Sequence, residues 1–116
     1  MNKSHQLGRQ GEALALEFLK HNDFSIIDSN WRWQKAEIDI IAKSQDILIF
    51  IEVKTRSSEK YGSPHEFVSE KKQTLMKEAA EAYLELHDLA LEIRFDIISI
   101  ILTKNKRKIK HISDAF

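Results

Sequence analysis

Between residues 37 and 54 two strongly apolar segments, E-I-D-I-I and I-L-I-F-I-E-V-K, flank a short polar turn. Such runs form strands, and a turn as short as Lys43-Ser44-Gln45-Asp46 folds the first back beside the second. Side chains alternate along a strand, so Glu52 and Lys54 share one face while Ile51 and Val53 take the other. Asp39, Glu52 and Lys54 can then meet at one spot in apolar surroundings. Charge is expensive there unless it is paired or bound to metal. Two hard oxygen ligands beside an ammonium suit a Mg²⁺ site for phosphodiester hydrolysis.

A chain of 116 residues makes one domain, 1–116, with room for a real core. Lys plus Arg and Asp plus Glu balance at 18 each. No global basic surface announces a nucleic-acid binder, so a local patch must serve. The tail is the best candidate, with Lys104, Lys106, Arg107, Lys108, Lys110 and His111 and no acid among them. Lys54, Arg56 and Lys60 make a second cluster.

The absence of cysteine excludes disulfides, Cys-zinc sites and thiol nucleophiles. The histidines show no zinc-hydrolase spacing, and the three glycines form no Walker loop, so no nucleotide cofactor is expected. No signal-peptide pattern or membrane-length apolar run occurs, and the expectation is a cytoplasmic protein without a membrane partner.

Apolar periodicity predicts a helix over 5–21, with Glu12 at the edge of its apolar arc between Leu16 and Leu19. Strands follow over 24–33, 37–42 and 47–54, the last so continuously apolar that it suits a centre covered on both faces. Ser63-Pro64-His65-Glu66 reads as a capping box. A long amphipathic helix spans 69–87, with Leu75, Met76, Ala79, Ala80, Tyr83 and Leu86 on its apolar side. A strand over 93–102 and an edge strand over 106–112 complete an α/β chain. The expected order is αβββαβ plus one C-terminal strand, a mixed β-sheet flanked by helices.

This order and these residues resemble the restriction-endonuclease-like fold of the PD-(D/E)xK nucleases, whose signature appears as Asp39 and Glu52-Val53-Lys54. The whole chain is similar to the YraN family of bacterial proteins, which look like archaeal-type Holliday-junction resolvases. The landmarks are G-R-Q-G-E-A-L-A (8–15), N-W-R-W (30–33), A-E-I-D-I-I (36–41), F-I-E-V-K-T-R (50–56), Y-G-S-P (61–64) and R-F-D-I-I (94–98). Ala36 departs from the glycine the family usually has before E-I-D, without removing a catalytic group.

The resemblance implies a site of Glu12, Asp39, Glu52 and Lys54. Asp39, Glu52 and the Val53 carbonyl would hold Mg²⁺ or Mn²⁺, and Lys54 would neutralise phosphate charge or position the water. Glu12 would be an outer acceptor or a ligand to a second metal. Arg9, Arg56, Lys60 and Gln73 are the expected contacts to nucleic acid.

Each residue also has a plainer reading. Glu52 and Lys54 can be a same-face ion pair, Asp39 a strand end, and Glu12 a surface residue. Glu37 is expected to pair with Lys35, Lys54 or Arg56, and Arg94 with Asp96. Tyr83 is expected in the core and Trp31 and Trp33 at the sheet edge. Two functions follow. One is a metal-dependent DNA endonuclease for branched or non-B-form DNA in recombination or repair, for which the resemblance to resolvases implies a homodimer. The other is a non-catalytic DNA- or protein-binding module that keeps the fold.

Overall fold

The computed structural model describes residues 3–58 and 68–116. The elements are α1 (Lys3–His21), β1 (Ser25–Trp33), β2 (Ala36–Ser44), β3 (Ile47–Arg56), α2 (Glu70–Leu86), β4 (Glu92–Leu102) and β5 (Arg107–Ile112). The strands form one sheet in the order β1-β2-β3-β4-β5. All neighbours are antiparallel except β3 and β4, which run parallel and are joined through α2. This is the mixed α/β arrangement expected, including the C-terminal edge strand. The capping box at 63–66 and Lys60 lie outside the described residues.

The central strand shows why the sequence folds this way. Leu48 and Phe50 on one face pack with Met76, Ala79, Ala80 and Tyr83 of α2. Ile49 and Ile51 on the other face pack with Ala15 and Leu19 of α1 and with Ile98 and Ile100 of β4. A strand covered on both sides must be apolar at both parities. Burying each such side chain contributes roughly 1.5–3 kcal/mol. Trp31 and Trp33 of the edge strand β1 pack against the α2-side cluster as expected, and Trp31 meets buried Tyr83 edge-on at 5.1 Å.

Local signals set the element ends. The Ser69 side chain accepts a hydrogen bond from Lys72 N at 3.1 Å and so caps α2. β1–β2 and β2–β3 close through two-residue turns, Gln34-Lys35 and Gln45-Asp46, whose first residues both take φ of 55°. No helix among the described residues is long and apolar enough to cross a membrane.

Gly11 is where α1 comes down on the sheet. A Cβ there would collide with the Thr55 side chain, whose own Cβ and Cγ2 would lie 2.9 Å away. Glycine inside a helix costs about 1 kcal/mol against alanine. Here it permits the close approach that brings the next residue, Glu12, to the end of β3.

Asp96 of β4 is fully buried, and its charge is answered on every side. Arg94 donates from Nε and Nη2 to its two oxygens, each at 2.9 Å. Asp114 N donates to Oδ1 at 2.9 Å, and His111 Nε2 of β5 lies 2.7 Å from Oδ2. The Arg94–Asp96 ion pair was expected; the His111 and Asp114 contacts come from the last strand and the turn beyond it. Burial pushes the Asp96 carboxyl up, but the hydrogen bonds from His111, Arg94 and Asp114 outweigh it and hold it below its ordinary value.

Candidate functional site

The acid strand breaks its alternation at Asp39. Ile38 packs in the α2-side cluster and Ile40 in the α1-side cluster, although two residues along a regular strand share a face. The β2–β3 ladder runs from Ser44–Ile47 to Ile40–Ile51 and stops there. Asp39 lies one residue past the last rung, where the strands fork. Its Oδ2 accepts a hydrogen bond from Val53 N at 2.8 Å, satisfying an amide that the departing ladder leaves behind.

Glu52, only 4% exposed, lies across the fork. The two carboxyl groups share a hydrogen bond, and Asp39 is pushed up to about 8. Burial is the largest cause; the Glu52 charge, the hydrogen bond to Glu52 and the Glu12 charge add to it, while Val53 N–H opposes it. Glu12 is raised too, first by burial and then by Glu37 and Glu52.

The fork opens into a cleft of about 810 Å³ between the helices. His5, Gly8, Arg9 and Glu12 line it from one stripe of α1, and Ser69, Lys72, Leu75 and Met76 from one stripe of α2. The acids Glu12, Glu37, Asp39 and Glu52 are partly or fully buried, whereas Arg9, Arg32, Lys35 and Lys71 are exposed. The cleft therefore has an acidic floor and a cationic rim.

Within that frame the expected residues divide. Glu12, Asp39, Glu52, Val53 and Arg9 all line the cleft. Lys54 is half-buried beside it but does not line it. Burial pushes the Lys54 ammonium below its ordinary value; Glu52 opposes that shift, and Lys72 and Arg56 add to it. Arg56 donates from Nη1 to Thr55 O at 3.2 Å, and Gln73 Nε2 donates to Val68 O at 3.1 Å, so neither side chain lines the cleft. Glu37 is paired, as expected, but with Arg32 opposite it on β1, at 3.1 Å.

The residue that sequence reasoning missed is Lys72. Its Nζ lies 2.6 Å from Glu52 Oε2. One signal was available: Lys72 continues the buried stripe Met76, Ala79, Ala80, Tyr83 by one turn toward the helix start. A lysine on the apolar side of a helix needs a reason, and here the reason is a buried carboxylate.

The donor set fits a hard divalent cation. Burial and the Glu52 charge beside it raise the cost of ionising Asp39, and a cation between the two groups would remove it. Asp39, Glu52 and the Val53 backbone would hold it. Among the described residues no group of three His, Cys, Asp or Glu side chains is arranged to bind a metal, so water and substrate oxygens would supply the remaining positions.

The sequence model described as "Uncharacterised protein family UPF0102" matches residues 11–100. The chain is 48% identical to UPF0102 protein FP2501 of Flavobacterium psychrophilum, covering 100% of this chain and 98% of the relative. It is 47% identical to a UPF0102 protein of Christiangramia forsetii over the same shares. Against a UPF0102 protein of Alkaliphilus oremlandii it is 41% identical, covering 100% of both chains. The YraN family and UPF0102 are one family, and this chain belongs to it.

Proposed function

We propose that this protein is a Mg²⁺- or Mn²⁺-dependent endonuclease that hydrolyses DNA phosphodiester bonds. The observation that carries the reading is the meeting of Asp39 and Glu52 in the strand fork, on the floor of a cleft rimmed by cations. A carboxyl as perturbed as Asp39, facing a second one, supports a functional role, and a divalent cation would supply it. A cation held there would polarise the phosphate and lower the pKa of an attacking water.

The chain's own residues do the rest. Val53 N–H fixes the Asp39 carboxyl, and Lys72 fixes Glu52. The Arg9, Lys35 and Lys71 side chains at the rim attract the phosphodiester backbone. Glu12 is placed to accept a proton or a water hydrogen bond from the α1 side. The resemblance to resolvases favours branched or non-B-form DNA, met by a symmetric pair of chains.

One observation favours a second reading, a binding module without hydrolysis. Lys72 already answers the Glu52 charge, and Lys54 stands outside the cleft lining. The deciding experiment incubates the protein with labelled duplex, single-strand, flap, nicked and four-way-junction DNA under Mg²⁺, Mn²⁺ and EDTA. Metal-dependent cutting that Asp39→Asn and Glu52→Gln both abolish is the expected result. Cutting that survives both substitutions comes from a contaminant, and no cutting of any substrate hands the case to the binding module.

A further inference from the structure

The positions of Lys54 and Arg56 make sense when the sheet is followed sideways. Register pairs Lys54 with Ser99 of β4, and Ser99 with Lys110 of β5. The next row is Arg56, Ile101 and Lys108. Residues directly opposite each other in a sheet share a face. All six therefore lie on the α2 side of the sheet, as does Glu52, whose own row continues through Ile97 to Ile112.

The cations thus form a rectangle beside the cleft. Rows two residues apart are separated by roughly 7 Å, and β3 and β5, two strands apart, by roughly 10 Å. Lys108 and Lys110 are exposed and sit at the free edge of the sheet. Between them and β3 lie only Ser99, a neutral hydrogen-bonding group, and Ile101. Surface lysines on an edge strand need no function beyond preventing edge pairing. That role does not ask for two half-buried cations of the central strand to stand in the same rows.

We propose that this rectangle (Lys54, Arg56, Lys108 and Lys110) is a phosphate-binding platform for the DNA arm next to the one entering the cleft. The inference rests on the nuclease reading for what lies in the cleft, and it adds the path of the substrate away from it. The sugar-phosphate backbone crosses the sheet from the Glu52 row to the β5 edge. Lys54 serves as the contact nearest the scissile position, and the β5 lysines set the orientation of the arm.

The test measures duplex and four-way-junction affinity against salt concentration, with EDTA present so that no cutting occurs. Lys108→Gln with Lys110→Gln removes two phosphate contacts, and the slope of log affinity against log salt should fall by about 2. Lys108→Arg with Lys110→Arg should keep the wild-type slope. Lys20→Gln with Lys77→Gln, which removes two cations elsewhere, should leave the slope unchanged. An unchanged slope in the first variant, or an equal fall in the remote one, overturns the platform. So does binding of polyglutamate in place of DNA with the same lysine dependence. Mn²⁺ titration of the wild type and of Asp39→Asn is run in parallel. Metal binding that needs Asp39 keeps the cleft reading standing even where the platform fails, and its loss with the slope change intact does the reverse.

Discussion

Two carboxylates lie on either side of the central strand, Asp96 buried on β4 and Asp39 half-buried on β2, and they are treated in opposite ways. Asp96 meets Arg94, His111 and the Asp114 amide, so donors occupy both of its oxygens. Asp39 meets one backbone amide and then another carboxyl, Glu52. The first is held below its ordinary pKa and the second is raised to about 8. A group meant only to hold a fold is answered by the fold itself. A group left facing its own kind is open to an answer from outside, and the proposed cation would give it.

The largest effect is expected at the closed centre. Asp96→Ala strands Arg94 and His111 without their partner and should cost about 3–5 kcal/mol in chemical denaturation. The pH dependence has a definite sign. Asp96 is depressed when folded, so its stabilisation is present above its ordinary pKa of 3.8 and is lost as pH falls below it. The variant should therefore lose part of the acid sensitivity of the wild type. Equal acid midpoints for the two proteins would mean that Asp96 is not the closed centre described above.

Gly11→Ala attacks the open centre without touching an acid. Forcing α1 away from Thr55 should cost about 1–3 kcal/mol, and Thr55→Ala in the same chain should recover part of it. No recovery would place the strain elsewhere. Metal binding gives the next test, because Asp39 carries a proton up to about pH 8 and a cation must displace it. Isothermal titration with Mn²⁺ should show affinity falling by up to about tenfold per pH unit below 8. A flat profile from pH 6 to 9 would sink the shared-proton account.

The smallest change separates the two centres most sharply. Asp39 is raised when folded, so it favours the native state below 3.8 and progressively less as pH rises through about 8. Asp39→Asn keeps an acceptor for Val53 N and removes that burden. At pH 9 and without metal the variant should be more stable than the wild type by on the order of 1 kcal/mol. Removing the carboxylate weakens the protein at Asp96 and should strengthen it at Asp39.

Much of this was legible in the sequence. Period-two and helical patterns mark all seven elements to within a few residues, and the unbroken apolar run of β3 identifies the sheet centre. Asp39 and Glu52 stand out because they interrupt apolar segments. The strand fork does not, since the break in alternation at Asp39 shows only once both faces are packed. Lys72 was hidden among Glu70, Lys71 and Gln73, where a charged helix start reads as solvated. The rows joining Lys54 to Lys110 depend on register across a parallel pair whose strands are far apart in the chain, and no local pattern encodes that.

That parallel pair also governs how the molecule comes together. Asp39 and Glu52 belong to one hairpin, which α1 and α2 complete with Glu12 and Lys72, and Arg94, Asp96 and His111 belong to another, with Asp114 just beyond it. Within the sheet the β3–β4 seam, from Ile47–Glu92 to Arg56–Ile101, joins the two halves, and α1 bridges them on one face through Ala15 and Leu19 against Ile98 and Ile100. Closing it requires α2 to be laid across first and a long loop to be paid for in entropy before any rung forms. Phe50 and Phe95 meet across that seam, their tilted rings 5.9 Å apart between centres. The two centres of charge lie on either side of it.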